Sequence, residues 1–399
     1  MVEKDKIPEI RFAWFTDAWE QRKLEKIVDR VSNISNEAGF PRLEYEDIIS
    51  GSGKLNKDIY KKESSKTGIG FEAGDILFGK LRPYLKNWLL ADFQGIAVGD
   101  FWVLRSDVTD SKFLYYLIQT PKYYEVANQS TGTKMPRSDW NVVSKTEFLI
   151  PDDKLEQQKI GEFFANIDNL ITLHQRKYDK LVIVKKSMLE KMFPKDGANV
   201  PEVRFAGFTD AWEQRKLSEL TSLITKGTTP LDKSGNGKIN YVKIESIDSS
   251  SGKITITSTI SEEEHNGYLK RSQLQEGDVL FSIAGTLGRV TAVNKDVLPA
   301  NTNQALAIIR LKNCNLNYII TYLKGKAVSE FVKKNPTVGA QPNLSLEQVG
   351  NLEIALPKTD EQEQIGDFFF NLDNLITLHQ RELEKLKNIK KSLLEKMFV

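Results

Sequence analysis

The sequence predicts a duplicated fold, in which two globular modules that contain β-strands alternate with two long α-helices. A short block appears twice, as PEIRFAWFTDAWEQRKL from Pro8 and as PEVRFAGFTDAWEQRKL from Pro201. A longer block also appears twice, at 156–193 and at 361–398, with apolar residues at helical spacing. Because a chain of 399 residues is too long for one ordinary core, the duplication predicts two separate modules.

The two long blocks predict a pair of antiparallel helices that meet along a coiled-coil seam. Their apolar residues step by four and then three positions, which is the spacing of a heptad repeat. One seam needs a partner, and the second copy offers one in the same chain. Lys185 and Lys390 fill places in the seam that apolar residues leave open. The residues expected in the helix pair are Phe164, Ile167, Ile171, His174 and Leu181 in the first copy and Phe369, Leu372, Ile376, His379 and Leu386 in the second.

The seam histidines, His174 and His379, have two interpretations. One is a metal site, but no carboxylate or cysteine cluster stands near them in the sequence to complete a ligand set. The other is a polar contact that fixes the register of the helix pair, and this is the interpretation we favour. We therefore predict no metal site in this chain.

Prolines and capping residues mark the boundaries between modules and helices. Pro151–Asp153 precede the first long helix, Pro194 follows it, and Pro357–Asp360 precede the second. We also expect the N-terminal short block to lie near the C-terminal helix. The predicted organisation is a first module over 1–152, a central helix and linker over 153–195, a second module over 196–357 and a C-terminal helix over 358–399.

The composition argues against catalysis, secretion and membrane insertion. The net charge is only +2, so any nucleic-acid surface must be a local patch. Three histidines, two of them in the helix seam, do not support a Ser/His/Asp triad, and the single cysteine, Cys314, forms no cluster. The N-terminal residues are charged, and no apolar run approaches the roughly 20 residues that span a bilayer. We predict a cytoplasmic protein with no catalytic site and no cofactor of its own.

Basic and polar loops in both modules are candidates for contact with DNA. Lysine and threonine suit phosphates, arginine can pair with guanine, and glutamine or asparagine can pair with adenine. Taken singly, each of these residues also fits a solvated surface loop. The candidates are Lys80, Arg82, Lys86, Lys134 and Arg137 in the first module and Lys226, Thr228, Thr229, Arg289, Gln341 and Asn343 in the second.

The order of these motifs resembles a known family. Each module contains Gly-Asp-Ile/Val-Leu-Phe, at Gly74–Phe78 and Gly277–Phe281, and ends on Ile/Leu-Pro before Glu-Gln-x-x-Ile. A long helix ending in Leu-Glu-Lys-Met-Phe follows in both copies. The stretches GDVLFSIAGTLGRV and KGTTP add to the likeness. Over nearly its whole length, the chain resembles the specificity subunit of type I restriction–modification systems.

The resemblance implies both a fold and a function. The fold would be α+β, with two target-recognition domains separated by two antiparallel helices and related by pseudo-twofold symmetry. Each domain would read one half of a split, asymmetric DNA sequence, and the helices would fix the gap between the halves. Two methyltransferase subunits would dock and methylate adenine N6 with S-adenosylmethionine. Restriction subunits that use ATP and Mg²⁺ would join them.

Two other functions remain open from the sequence. The chain could serve a system that only methylates DNA, or another methyltransferase–nuclease arrangement, and nothing in the sequence separates these from restriction. A structural coiled-coil adaptor is the other alternative. Basic loops in both divergent modules count against the adaptor.

Overall fold

The computed structural model describes residues 7–62, 64–129, 134–195, 197–232, 234–248, 251–334 and 343–399. Two compact units divide the chain. Unit 1 comprises Met1–His174 and Glu382–Val399, and unit 2 comprises Gln175–Arg381. Each unit therefore combines a globular module with the start of the long helix that follows it and the end of the other long helix.

Unit 1 is built on a four-stranded antiparallel sheet with the strand order β2-β11-β8-β9. A second sheet has the order β3-β7-β10-β4, and β1–β12 and β5–β6 form separate antiparallel pairs. The strands are β1 (Glu20–Lys23), β2 (Asp29–Val31), β3 (Ile34–Ser35), β4 (Arg42–Leu43), β5 (Ile48–Ile49), β6 (Lys54–Leu55), β7 (Gly68–Phe71), β8 (Ile76–Gly79), β9 (Trp88–Leu90), β10 (Gly95–Ala97), β11 (Phe101–Arg105) and β12 (Glu147–Ile150). The helices that begin in this unit are α1 (Ser111–Leu117), α2 (Pro121–Ala127), α3 (Trp140–Lys145) and α4 (Lys154–Lys191).

Unit 2 repeats this plan. Its main sheet has the order β14-β20-β17-β18, beside a smaller sheet β16-β15-β19 and an antiparallel pair β13–β21. The strands are β13 (Glu213–Lys216), β14 (Thr221–Lys226), β15 (Ile239–Val242), β16 (Thr259–Ile260), β17 (Val279–Ser282), β18 (Val290–Ala292), β19 (Ala300–Thr302), β20 (Leu306–Leu311) and β21 (Glu353–Leu356). The helices are α5 (Glu262–Asn266), α6 (Leu316–Leu323), α7 (Lys326–Lys334), α8 (Leu346–Gly350) and α9 (Thr359–Lys396). Both units mix sheet and helix, as the α+β prediction requires.

The shared Gly-Asp motif builds the same turn before the same strand in each unit. Gly74 and Gly277 have φ values of 95° and 83°, which side chains other than glycine rarely adopt. Asp75 is buried and accepts two hydrogen bonds of 2.7 Å from Arg105. Asp278 accepts two of 2.8 Å from Arg310. The aspartate of the motif therefore joins the start of β8 to the end of β11 in unit 1. The equivalent aspartate joins β17 to β20 in unit 2.

The short block ties each module to a long helix through a buried ion pair. In unit 1, Arg11 donates to both oxygens of Glu156, at 2.6 and 2.8 Å. In unit 2, Arg204 donates to both oxygens of Glu361, at 2.7 and 2.8 Å. Both glutamates are 1% exposed, so the paired geometry compensates two buried charges. Equivalent residues of the two blocks therefore make the same buried contact.

In both units, the short block also contacts the end of a long helix. The Ile10 amide donates to the Lys396 carbonyl at 3.0 Å in unit 1, which confirms the expected position beside the C-terminal helix. The equivalent bond in unit 2 joins the Val203 amide to the Lys191 carbonyl at 2.9 Å.

Within each unit, segments of the two long helices run antiparallel, as predicted. In unit 1, Phe164 of α4 contacts Phe398, which follows α9, with ring centroids 5.9 Å apart, and Asp168 pairs with Lys390 at 2.8 Å. In unit 2, Lys185 pairs with Asp373 at 2.5 Å. Along the contact, residue numbers increase in one helix and decrease in the other, as in an antiparallel pair. Every predicted seam residue is buried or half-buried, including His174 and His379.

A glycine in each long helix allows a close approach to the module. A Cβ on Gly366 would lie 2.6 Å from Asn315 Oδ1 and 2.9 Å from the Tyr318 amide nitrogen. Gly161 has the same environment in unit 1, with the Phe113 amide nitrogen 2.9 Å away. The first turn of α1 therefore packs directly on α4 at Gly161, and the first turn of α6 packs directly on α9 at Gly366. A side chain at either glycine would not fit.

We expect Gly366→Ala to lower the free energy of unfolding by about 1–3 kcal/mol, because the methyl group has no space. The sign is informative, since glycine-to-alanine in an open helix position stabilises by roughly 1 kcal/mol. Urea unfolding of the full chain measures the change. Asn371→Ala, at an exposed position of the same helix, is the control and should cost nothing. Stabilisation by Gly366→Ala would contradict the close packing.

Candidate nucleic-acid interface

One of the two loops with predicted DNA contacts in unit 1 leaves the main sheet at the end of β8. Strand β8 ends at Gly79, which is paired with Phe101 at the start of β11. Strand β2 runs antiparallel to β11 on the other side and ends at the same edge. The segment 80–86 therefore emerges beside residues 98–100, and we call this surface the unit 1 edge.

Backbone hydrogen bonds bring the two basic segments of the first module together at this edge. The Arg82 amide donates to the Pro136 carbonyl at 2.7 Å, and the Ser138 amide donates to the Lys80 carbonyl at 2.9 Å. Leu81 and Arg137 form an isolated bridge between them. The loop at 80–86 and the segment 134–138, which stand about 55 positions apart in the sequence, thus form one surface, while residues 130–133 of the predicted basic loop lie outside the described residues.

Asp100 organises the cations of the unit 1 edge. Its carboxylate accepts hydrogen bonds from Arg137 at 3.0 and 3.3 Å, and Lys80 Nζ lies 3.7 Å away. The hydrogen bonds from Arg137 to Asp100 raise the pKa of that guanidinium, which stays charged. Lys86 stacks over the Tyr124 ring at 4.8 Å, and Lys134 is exposed. One carboxylate thus contacts two of the cations of this edge, Lys80 and Arg137.

The turn at 82–86 has a strained backbone. Arg82 and Lys86 have φ values of 48° and 55°, in the left-handed region that residues other than glycine seldom occupy. They flank a single turn of 3-10 helix at Pro83–Leu85, from which Tyr84 projects with 46% exposure. Arg82 Nε is buried and has no hydrogen-bond partner among the described residues. Such strain often marks a functional loop.

Tyr45 contacts the residues that lead into this turn. It was not identified from the sequence. Its hydroxyl donates to the Leu81 carbonyl. Burial, together with the charge of Asp100, raises the pKa of Tyr45 to about 12, so the hydroxyl remains a hydrogen-bond donor at neutral pH. Tyr45 therefore positions the turn.

The predicted contacts of unit 2 surround the equivalent edge of its main sheet, which we call the unit 2 edge. Strand β14 ends at Lys226 and β17 ends at Ser282, and both pair there with the start of β20. The Gly227 amide donates to the Leu306 carbonyl at 3.2 Å, and the Ile283 amide donates to the Ala305 carbonyl at 2.8 Å. The loops after β14 and β17 therefore lie on either side of one turn.

The side chains at the unit 2 edge differ in their availability. Lys226 is exposed, whereas Thr228 Oγ1 accepts from Arg271 Nε at 3.1 Å and Thr229 is hydrogen-bonded to Gln304. Arg271 was not identified from the sequence. Arg289 is half-buried, and its Nη1 donates to the carbonyls of Ile244 and Ile247 at 3.1 and 3.0 Å. Arg289 thus holds a neighbouring turn.

Asn343 lies at the unit 2 edge, and the other predicted adenine-pairing residue, Gln341, lies outside the described residues. Asn343 is exposed and forms an isolated bridge with Ala284. The next amide, of Leu344, donates to the Ile283 carbonyl at 2.8 Å. This reproduces the pairing of Leu81 with Arg137 in unit 1. The same backbone arrangement presents arginine in one unit and asparagine in the other.

Two structural properties bear on other classes of function. Among the described residues, no group of three or more His, Cys, Asp or Glu side chains is placed to hold a metal ion. No helix in the described part of the chain is both long and apolar enough to cross a membrane.

Comparison with known proteins identifies the family. The model of the type I restriction modification DNA specificity domain matches the chain twice, over 19–182 and 209–388. The chain belongs to this DNA specificity family. It is therefore a specificity subunit of the type I restriction–modification class and not an enzyme, and the resemblance found in the sequence is confirmed.

Individual relatives agree with this family. The MjaVIII type I specificity subunit of Methanocaldococcus jannaschii is 23% identical over 85% of this chain and 79% of its own. The EcoBI specificity subunit of Escherichia coli is 24% identical over 96% of this chain and 86% of its own. The crystal structure of a type I restriction–modification S subunit from M. genitalium superposes with a TM-score of 0.60 at 16% identity, covering 98% of this chain and 99% of that one. The structural likeness confirms the predicted fold class.

Proposed function

We propose that this specificity subunit reads a split, asymmetric DNA target, with residues 1–152 and 196–357 as its two recognition domains. The proposal depends on a contrast between the parts of the two units that are equivalent and the sheet edges, which differ. Equivalent ion pairs, Arg11–Glu156 and Arg204–Glu361, join the short block to a long helix in both units, whereas the edges of the two main sheets carry different side chains. Different donors and acceptors on one frame would read different base pairs.

In the unit 1 edge, Lys86 and Lys134 would contact phosphates, and Arg137 would pair with a guanine. Since Asp100 already pairs with Arg137, the arginine must exchange that partner for a base, which makes binding conditional on the correct base. Lys80 also contacts the Asp100 carboxylate, and Arg82 lies in the strained turn that follows Lys80.

In the unit 2 edge, Lys226, Thr228 and Thr229 would contact phosphates, and Asn343 with Gln341 would pair with adenine. The bonds of Arg289 to Ile244 and Ile247 give it a positioning role beside these contacts.

The catalytic chemistry would belong to partner subunits on the long helices. Leu170 and Leu173 of α4 are 46% and 52% exposed, and the equivalent Leu375 and Leu378 of α9 are 45% and 51% exposed. Two equivalent apolar surfaces suit two copies of one partner, here the methyltransferase. That subunit would supply S-adenosylmethionine and a pocket for the flipped adenine. ATP- and Mg²⁺-dependent restriction subunits would complete a complex that acts on cytoplasmic DNA.

Exchanging one recognition domain should change one half of the target only. The chain would be co-expressed with its methyltransferase, and modified adenines would be mapped across the host genome. Replacing residues 25–150 with the corresponding region of a relative should alter one half-site and preserve the other. As a matched control, replacing Pro8–Leu24 with the nearly identical Pro201–Leu217 should preserve both. A change in both half-sites after the first exchange would refute the modular assignment.

A further inference from the structure

Unit 2 contains a polar cleft between its module and the first half of α9. Its volume is about 300 Å³, and α6, β18 and α9 contribute to its walls. Three basic side chains line it, namely Lys253, Lys324 and Arg381. None of the three forms an ion pair with a described residue, although Asp373 also lines the cleft. Such a concentration of unpaired cations in a concave surface needs a physical explanation.

In unit 1, a neutral amide, Gln119, occupies the position that is equivalent to Lys324. Lys390 lies 2.8 Å from Asp168 and donates to Gln119 Oε1 at 3.0 Å. The Tyr116 hydroxyl donates to the same aspartate at 2.9 Å. The ammonium of Lys390 thus has one carboxylate and one neutral amide oxygen as acceptors.

In unit 2, a lysine stands where unit 1 has the neutral amide of Gln119. Lys185 pairs with Asp373 at 2.5 Å, as Lys390 does with Asp168. The residue that matches Gln119 is Lys324, which has no acceptor to offer Lys185. Burial lowers the pKa of Lys324, the charge of Asp373 opposes that change, and the charge of Lys185 adds to it. Lys185 and Lys324 therefore share the charge of one carboxylate, Asp373, with which Lys185 forms the ion pair.

We propose that this cleft binds a phosphate group, with Lys324 as the central contact and Lys253 and Arg381 at its opening. A doubly charged oxyanion would balance the excess of positive charge in the cleft and accept hydrogen bonds from all three cations. The amide of Asn374, which also lines the cleft, provides a further donor. The place is distinct from the unit 2 edge, because α6, β18, α9 and the segment 251–253 line it, and the loops after β14 and β17 do not.

Pyrophosphate is the probe that tests this site, by isothermal titration calorimetry of the full chain. Wild type should bind it, and Lys324→Gln should weaken binding by about ten-fold, the loss expected for one charged hydrogen bond. Lys324→Gln gives unit 2 the residue that unit 1 already has at 119, so we expect it to fold. Arg381→Gln should weaken binding in the same direction. Lys216→Gln, an exposed lysine on β13, is the matched control and should leave the affinity unchanged.

A second titration identifies the source of the phosphate. If Lys324→Gln also lowers the affinity for a random-sequence DNA duplex by about ten-fold, the site holds a phosphate of the DNA backbone. If duplex affinity is unchanged while pyrophosphate binding falls, the site holds a free phosphate compound. Equal pyrophosphate affinities of wild type and Lys324→Gln, or no binding by wild type, would overturn the proposal. Neither result bears on half-site reading by the two edges.

Discussion

Replacing Arg204 with methionine should lower the free energy of unfolding of the chain by about 3–5 kcal/mol, the usual cost of removing one partner of a buried ion pair. Glu361 is 1% exposed and receives both of its strong hydrogen bonds from this guanidinium. Methionine fills similar space but donates nothing. The carboxylate would remain buried without compensation, and the contact between the short block and α9 would be lost.

The chain offers a matched control in Arg215→Met. Arg215 also pairs with glutamates, at 2.6 Å from Glu219, but both side chains are about half exposed. Exposed pairs contribute roughly 0–1 kcal/mol, because water competes for both charges. Urea unfolding of both variants at neutral pH gives the comparison. Losses of equal size would show that burial of Glu361 does not govern the stability of unit 2.

The long helices could be predicted from sequence because their signal is periodic. Heptad spacing and flanking prolines predicted helices near 156–193 and 361–398, and the structure has them at Lys154–Lys191 and Thr359–Lys396. The aspartates that pair with the seam lysines were missed. Asp168 and Asp373 each stand one residue past an apolar seam position, where charged residues often form ion pairs between helices, but the sequence does not show which residue they face. Only the pairing of the helices shows that they face a lysine.

The edges could be predicted only in part, for a different physical reason. Composition identified the basic loops, but the direction of a side chain depends on contacts that are distant in sequence. Asp100 lies 37 residues before Arg137, and nothing in the local sequence links them. Arg289 shows the same limit, since its guanidinium turns towards the carbonyls of Ile244 and Ile247. Residue type therefore predicted where the edges lie, and not which of their cations are available.

The compact units also differ from the linear segments that the sequence suggests. Each long helix is one segment in sequence, yet its two ends belong to different units, with the division after His174 and Arg381. The cause is visible in the cores. Leu394, Met397 and Phe398 are buried in the core of unit 1, and Met192 is buried in that of unit 2. Each module thus completes its core with the end of the helix that follows the other module.

Because residues at the end of the sequence complete the core of unit 1, we expect a large loss of stability when Phe398 is truncated. Its ring lies 5.3 Å from Phe113, 5.9 Å from Phe164 and 6.3 Å from Trp19, measured between ring centroids. Phe398→Ala should lower the free energy of unfolding by about 3–5 kcal/mol, the range for removing a buried aromatic ring. The module most affected should be the one at the other end of the sequence.

Hydrogen exchange can locate that effect. After Phe398→Ala, amides of α1 in unit 1 should lose protection, whereas those of the equivalent α6 in unit 2 should keep theirs. Leu375→Ala, at a leucine of α9 with 45% exposure, is the control and should cost much less. Equal loss of protection in α1 and α6 would mean that the two units unfold together. Loss confined to α1 would establish that the residues directly after α9 belong energetically to the first module, in whose core Phe398 is buried.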